Sequence, residues 1–208
     1  MKKAAFIFVI LGILLQSCIH YHASYRSSKL EVTDPNVFPE NFQKALYKTN
    51  IHLLNKDYSG IMFFKRMVDE QSVRMVFMSE FGLKYFDFEL LDNGQFAVKY
   101  ILDELNKESI VNVLEQDMKL LFPNKKQLST SKLFYRKKTK TFMAKYRVEK
   151  GRYYYFFDEQ TAAVSRIEYS GAVFKKIIIR LSDYSDKIAK TIDISHVNIA
   201  LKLKLSKI

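Results

Sequence analysis

The sequence has few cysteines, glycines and prolines, and each scarcity excludes a class of protein. A single cysteine among 208 residues leaves no internal disulfide framework and no zinc site built on cysteines. Six glycines and three prolines exclude a collagen-like or linker-like chain, and tryptophan is absent. We find no glycine-rich phosphate loop, nucleophile elbow or histidine-rich metal motif, so the sequence predicts no enzyme, no metal site and no cofactor.

Hydrophobic residues, by contrast, make up 48% of the chain, and it contains 17 Phe and 13 Tyr. A chain of this length and composition is typical of one folded domain with a sizeable core. Basic residues exceed acidic ones by 34 to 22, which gives a net charge of +12 and favours an anionic partner.

The first eighteen residues carry most of the functional signal. Two lysines precede an uncharged apolar run, residues 4–15, which is shorter than the roughly 20 residues of a membrane-spanning helix and typical of a secretory signal. The residues that follow, Leu15, Gln16, Ser17 and Cys18, resemble the bacterial lipobox. The resemblance implies cleavage before Cys18 and acylation of that cysteine, with palmitate as one expected chain. The alternatives are an uncleaved anchor and a buried free thiol.

The resemblance also predicts where the protein resides. Ile19 follows the cysteine without an acidic cluster, which in lipoprotein sorting favours a lipid-anchored outer-membrane protein that faces the periplasm. Removal of residues 1–17, two of them lysines, leaves 191 residues and a net charge of +10. Nucleic acid is scarce in that compartment, so we expect anionic lipid headgroups, and no nucleic acid, as the charged partner.

The chain divides into three predicted segments: a signal peptide over residues 1–17, a lipidated tether over 18–41 and a folded domain over 42–208. The tether is polar and has no sustained periodicity. His20 and His22 lie two residues apart in it, but no carboxylate or thiol is near, which favours a spacer over a metal clip.

In the folded domain, apolar residues recur with a period of two, the pattern of antiparallel strands. Turns are expected at residues 56–60, 80–82 and 92–94. A stripe at helical spacing predicts one helix, capped by Asn106 and ended before Pro123; the stripe consists of Ile110, Val111, Leu114, Met118 and Leu121. Later strands are expected at residues 132–137, 142–148, 152–158, 164–170, 173–181 and 196–205.

The predicted fold class is therefore mainly β, of the α+β type. We expect a curved antiparallel sheet, or unclosed half-barrel, of about ten or eleven strands. The inserted helix is expected to cover the concave face.

Several of these strands are apolar at both parities, which a sheet with one buried face does not require. Phe63 is followed by Phe64, and Tyr154 by Tyr155. A second apolar surface must meet a helix, another sheet, a partner or an apolar ligand. An apolar cavity is therefore one hypothesis, and cover by the helix and the tether is the other.

Positive charge is concentrated in residues 125–152, which hold eleven basic residues and one acid, Glu149. Such a run is usually a solvated face. In a tethered protein it also favours contact with anionic headgroups, because each Lys or Arg near the surface contributes ~1 kcal/mol. The residues predicted to make that contact are Lys132, Arg136, Lys137, Lys138, Lys140, Lys145 and Arg147.

Four stretches, YKTNIHLLNKDYSGIMFFKR, SVRMVFMSEFGLKYFDFELLDNG, QDMKLLF and IDISHVNIALKLKL, together resemble the outer-membrane lipoprotein carrier and receptor superfamily (LolA/LolB-like). The resemblance implies a half-barrel whose apolar concave face shelters acyl chains. Arg74 matches a strand arginine near the cavity of the carrier. Phe81 and Leu83 match an exposed apolar loop of the receptor and are predicted to contact the membrane. The other residues predicted to line the cavity are Phe63, Phe77, Phe86, Phe88, Tyr155 and Phe157.

Together these features predict a periplasm-facing lipoprotein that binds an acyl chain or a lipidated protein and aids its delivery to the outer membrane. The alternative is a structural or interaction lipoprotein that docks on an envelope protein complex and binds no ligand. An envelope hydrolase is a third hypothesis, because a site built from scattered strand carboxylates leaves no sequence motif.

Overall fold

A computed structural model describes residues 25–27, 35–39, 41–124, 128–171 and 175–208 of the chain. The predicted signal peptide, Cys18 and the two tether histidines lie outside the described residues. Of residues 129–131 the backbone is described.

Within this part of the chain there are thirteen strands and one α-helix. The helix, α1, spans Glu108–Leu121, and a short 3₁₀ turn covers Lys137–Thr139. The strands are β1 (Arg26–Ser27), β2 (Lys44–Leu53), β3 (Lys56–Met67), β4 (Ser72–Met78), β5 (Lys84–Leu91), β6 (Phe96–Ile101), β7 (Ser129–Arg136), β8 (Thr141–Val148), β9 (Gly151–Asp158), β10 (Val164–Ser170), β11 (Lys175–Ser185), β12 (Ile188–His196) and β13 (Leu201–Lys207).

All thirteen strands belong to one antiparallel sheet. Its order is β1-β7-β8-β9-β10-β11-β12-β13-β2-β3-β4-β5-β6, so the sheet ends in β1 on one side and β6 on the other and is not closed into a barrel. The predicted mainly β class and the antiparallel, unclosed sheet are confirmed. The strand number is thirteen rather than ten or eleven.

The expected strand over 196–205 is wrong, because the chain bends there. β12 ends at His196, and β13 begins only at Leu201 after a bend over residues 197–200. The period of two continues through this bend in the sequence, so the pattern hides the break. β12 itself follows a two-residue turn in which Asp186 and Lys187 adopt φ of 51° and 63°, a conformation that usually signals Gly or Asn.

The turn expected at 56–60 is wrong for a similar reason. Those residues form the start of β3, which pairs with β2 from Leu53 opposite Lys56 to Lys44 opposite Lys65. The chain reverses instead over residues 54–55, with Leu54 at a φ of 56°. The sequence signal misplaced this turn because leucine rarely adopts that conformation.

Helix α1 ends before Pro123 as predicted, but its start differs from the prediction. Lys107 is the N-cap residue and makes no side-chain capping bond, so Asn106 is not the cap. Four residues of the predicted stripe are buried, and Val111 is half-buried; Leu120 and one acid, Asp117, are buried as well.

The strict alternation of the strands gives the sheet two different faces. In β2, every second residue from Ala45 to Leu53 is buried. This side, which we call the core face, joins the buried side chains of α1 in one large hydrophobic cluster. The opposite side, the outer face, carries a small cluster of Met143, Tyr154 and Phe156.

Part of the predicted tether packs into the core. Val37 and Phe38 are buried, and the Phe38 ring stacks on that of Phe122 with centroids 4.7 Å apart. Arg26 and Ser27 pair with Tyr135 and Phe134 of β7.

Gly60 lies on the core face of β3 at a point where the next strand comes very close. A Cβ atom at this position would overlap the carbonyl oxygen of Met78 in β4. The close approach of the two backbones therefore requires a residue without a side chain.

We expect Gly60→Ala to lower the free energy of unfolding by about 1–3 kcal/mol, because the added methyl group must displace the β4 backbone. Urea denaturation measures the change. Ser59→Ala, at the exposed neighbouring position, is the control and should shift stability by less than about 0.5 kcal/mol. Equal stability of the two variants would contradict the close-approach interpretation.

Candidate functional site

A large open cleft of about 1660 Å³ lies between α1, the segment around Phe38 and the core face of the sheet. Ligand pockets for small molecules usually measure about 300–1,000 Å³, so the cleft has room for a larger apolar ligand. It extends on both sides of the helix, since residues of β4 and β5 line it as well as residues of β9, β11 and β12.

The cleft combines an apolar floor with a charged rim. Its apolar residues include Val73, Leu90, Val113, Phe122, Tyr153, Tyr169, Ile177 and Ile199. Arg66 donates a 2.7 Å hydrogen bond to Asp92 at one side. Lys119 pairs with Glu115 on the helix, at 2.5 Å. Lys150, Lys176 and Glu149 complete the charged rim.

None of the residues predicted to line a cavity lines this cleft. Five of them lie on the core face, at most 1% exposed, and pack inside the core: Phe77, Phe86, Phe88, Tyr155 and Phe157. Phe63 and Arg74 lie on the outer face, since Phe63 pairs with Val76 and Arg74 with Glu89. The sequence predicts that successive side chains of a strand point to opposite faces. It does not predict which of the two sets of alternate residues faces the helix.

Arg74 takes part in a network of charges on the outer face. Its Nε and one terminal nitrogen donate to the two oxygens of Asp87 at 2.7 and 2.8 Å, and Lys84 donates to the same carboxylate at 2.9 Å. Burial alone would raise the pKa of Asp87, but these hydrogen bonds outweigh it and hold the pKa below its ordinary value. Arg74 thus balances a buried carboxylate.

Phe81 and Leu83 occupy the turn between β4 and β5, where Phe81 is 99% and Leu83 54% exposed. The turn is tight, with Gly82 at a φ of 84° and its N–H donating to the Ser79 carbonyl oxygen at 3.0 Å. β4 and β7 run in opposite directions in the antiparallel sheet. The Phe81 turn therefore lies at the end of the sheet opposite the turn at Lys137–Thr139.

The basic residues predicted for headgroup contact are spread along β7, β8 and the turn between them. Lys132, Lys137, Lys138, Lys140 and Arg147 are exposed, and Arg136 and Lys145 are half-buried. The structure therefore brings these seven together on one hairpin, but not with Phe81 and Leu83.

A buried polar pair joins α1 to the sheet next to the cleft. The Asp117 carboxylate lies 2.9 Å from Nε2 of His196, whose Nδ1 lies 2.9 Å from the carbonyl oxygen of Leu201. Both side chains are almost fully buried. The sequence analysis missed this pair; an acid inside the apolar stripe of a helix is the signal that could have found it.

The protons of this pair follow from its hydrogen bonds. A carbonyl oxygen only accepts, so Nδ1 carries a proton, and a second proton lies between Nε2 and Asp117. Burial raises the pKa of Asp117. Burial alone would lower the pKa of His196, but the hydrogen bond with Asp117 outweighs it, and the net pKa is raised. Loss of the shared proton would leave a negative charge buried beneath the helix.

The described residues contain no group of three or more His, Cys, Asp or Glu side chains that could hold a metal ion. None of their helices is both long enough and apolar enough to cross a membrane.

Comparisons with known proteins give structural neighbours of low similarity. No family model and no curated protein matches the chain. A DUF1329 family protein from Desulfovibrio piger aligns over 81% of this chain and 85% of its own, at 8% identity and a TM-score of 0.49. An outer membrane lipoprotein-sorting protein domain from Vibrio parahaemolyticus aligns over 81% and 84%, at 9% identity and a TM-score of 0.46. Similarity at this level assigns the chain to no family.

The buried pair predicts a pH dependence of stability. An unfolded histidine releases its proton near pH 6.5, whereas folded His196 holds it to higher pH. The pair's contribution is thus fully present below about pH 6.5 and is lost as pH rises through the folded pKa. We expect Asp117→Asn to remove this decline and to lower the free energy of unfolding by about 1–3 kcal/mol at neutral pH.

Urea denaturation across this pH range, with an NMR titration of His196, measures both effects. The matched control is Asp57→Asn, which removes the partner of an exposed histidine, His52, at 2.8 Å. It should change neither the slope nor the midpoint. A wild-type stability that does not fall above about pH 6.5 would contradict the assignment.

Proposed function

We propose that this chain is an outer-membrane lipoprotein, acylated at Cys18 and facing the periplasm, whose cleft binds an acyl chain or a lipidated protein. In this role it aids delivery of that cargo to the outer membrane. The observation that carries the proposal is the open cleft with an apolar floor beside α1.

In this proposal α1 covers the concave face of the sheet and divides the cleft. The helix is fixed to the sheet by polar contacts: the Tyr155 hydroxyl donates to the Leu120 carbonyl oxygen at 3.0 Å, and Gln116 donates to the Tyr153 hydroxyl at 2.7 Å. An acyl chain would lie against Val113 of the helix, against Phe122 just after the helix, and against the apolar floor. Burial of its methylene groups then drives binding, at about 0.8 kcal/mol each.

The deeper aromatic residues have a second place in this proposal. Tyr155 lies directly beneath α1, and Phe77, Phe86 and Phe88 fill the core face beside it. They become available to a ligand only when the helix moves away from the sheet. A longer cargo chain would therefore need α1 to shift.

Two surfaces are proposed to contact the membrane, and they lie at opposite ends of the sheet. The exposed ring of Phe81 with Leu83 suits insertion among headgroups. The basic hairpin suits anionic headgroups. Since one flat bilayer cannot meet both ends at once, the two contacts belong to different orientations of the protein.

A structural or interaction lipoprotein is the second candidate, and the edge strand β6 favours it. Val98 and Tyr100 on this strand are 43% and 41% exposed, and β6 is the last strand of the sheet. An open edge with apolar side chains can pair with a strand of another protein.

Native mass spectrometry distinguishes the two candidates. Residues 25–208, which keep β1, would be purified without detergent and incubated with phospholipid and acylated peptide. A bound species that is lost on denaturation supports the cargo-binding role. A mass that stays unliganded favours the interaction role.

We expect Val113→Glu to weaken uptake of a fluorescent fatty acid about tenfold or more, because an acyl chain would have to displace water from a charge inside the cleft. The matched control is Val111→Glu, which places the same charge on the same helix, at a half-buried position that does not line the cleft. It should bind like wild type. Equal binding by the two variants, with circular dichroism showing both folded, would contradict the cleft as the binding site.

We expect Cys18→Ser to abolish incorporation of labelled palmitate and recovery with the outer membrane, because no thiol remains to be acylated. Labelling and fractionation of bacterial cells that express the chain measure both outcomes. Ser17→Ala, which keeps a small residue before the cysteine, is the control and should be labelled normally. A labelled Cys18→Ser protein would show that the anchor lies elsewhere.

A further inference from the structure

Four cations form a compact block on the outer face of β7, β8 and β9. Lys132 lies directly opposite Lys145, and Arg147 lies directly opposite Arg152. Lys145 and Arg147 are two residues apart on β8, so their side chains point to the same face. Directly opposed like charges destabilise a sheet, and this block contains two such pairs in neighbouring rows.

The four charges are close enough to repel one another. The pKa of Lys145 is lowered, first by burial and then by the positive charges of Arg152, Lys132 and Arg147. Cross-strand neighbours are about 5 Å apart at Cβ, and successive side chains on one face about 7 Å apart. The block therefore spans an area close to that of one phosphate group and its ligands.

One carboxylate, that of Glu168, lies beside the block, but it is already paired with other cations. Glu168 lies on β10 directly opposite Tyr154 of β9, and it is 1% exposed. Its Oε1 lies 3.2 Å from Nε of Arg166 and 3.0 Å from Nζ of Lys175. Glu168 is thus matched by two cations outside the block and does not neutralise the block itself.

Tyr154 adds a hydroxyl beside the four cations. It lies on β9, opposite Lys145 of β8, and its side chain is hydrogen-bonded to Arg152. Burial raises the pKa of this phenol, which keeps it neutral and able to donate. Two guanidinium groups, two ammonium groups and a phenol are the donors that phosphate oxygens prefer.

We propose that Lys132, Lys145, Arg147, Arg152 and Tyr154 form a binding site for a terminal phosphate group, carried either by a monoester lipid headgroup or by free inorganic phosphate. A monoester brings a charge of about −1.5 to −2, which relieves the repulsion in the block better than a singly charged diester. The site narrows the headgroup contact of the proposed function, on which it rests, to one ligand chemistry. It lies on the opposite side of the sheet from the cleft, because Tyr153 and Tyr155 belong to the core cluster.

Isothermal titration of the full chain in a nonionic detergent tests the site with three soluble probes. These are inorganic phosphate, dihexanoyl phosphatidic acid, which is a monoester, and dihexanoyl phosphatidylglycerol, which is a diester. We expect inorganic phosphate and phosphatidic acid to bind. The diester, phosphatidylglycerol, should bind about tenfold more weakly. Binding should also raise the pKa of Lys145, measured by NMR of isotopically methylated lysines, which keep their charge.

The variant Lys145→Gln/Arg147→Gln should lose about tenfold or more of the phosphate affinity. The matched control is Lys202→Gln/Lys204→Gln, which removes the same charge from exposed positions of β13 and should bind within about twofold of wild type. Equal loss in both variants would show attraction to net charge alone and overturn the site. Absence of phosphate and phosphatidic acid binding to wild type would overturn it too.

Two further measurements identify the source of the phosphate and separate this site from the cleft. Binding of phosphate without the lipid analogue would support the site and identify its ligand as a soluble phosphate, whereas binding of both supports a headgroup. Fatty-acid uptake by the Lys145→Gln/Arg147→Gln variant should be unchanged. That measurement separates failure of this site from failure of the cleft.

Discussion

The packing of α1 against the core face is the contact on which the rest of the molecule depends. One helix of fourteen residues meets a sheet of thirteen strands among the described residues, so it can cover only part of that face. Three residues of the sheet form hydrogen bonds with the helix: Tyr153, Tyr155 and His196. One part of the core face also packs against itself, as in the stacked rings of Phe86 and Phe88, and another part remains open as the cleft.

The extent to which the sequence predicts this structure depends on whether the deciding signal is local. Alternation, which is local, predicts the positions of β7 to β10 well, because the polarity of each residue indicates its own burial. The turns at Leu54 and at Asp186 escape prediction because residues other than glycine adopt positive φ there. The pairing of strands then decides the rest: the face on which Phe63 and Arg74 lie depends on which parity meets α1. The contact between Asp117 and His196, 79 positions apart, is likewise invisible without the fold.

The outer face handles its charges differently in its two halves. Around β4 to β6, each buried acid has basic partners: Asp87 has Arg74 and Lys84, and Glu89 has Lys99 at 2.7 Å. Around β7 to β9 the cations outnumber the acids. The first half therefore contributes to the stability of the sheet, whereas the second half carries a field that reaches into solvent and attracts anions before contact.

The short pairing of β1 with β7 limits how far the folded domain can move from any attachment at residue 18. Without it, the first residue held in the core would be Val37, and an extended chain from residue 18 could reach about 65 Å; from Arg26 the same chain reaches about 28 Å. Tyr25 reinforces the pairing, since its ring lies 6.0 Å from that of Phe156. β1 runs antiparallel to β7, so Tyr25 lies beside the turn at Lys137–Thr139, where its side chain is hydrogen-bonded to Thr139. In the proposed anchored form, this short link would raise the effective concentration of that turn at the membrane surface without any increase in its intrinsic affinity.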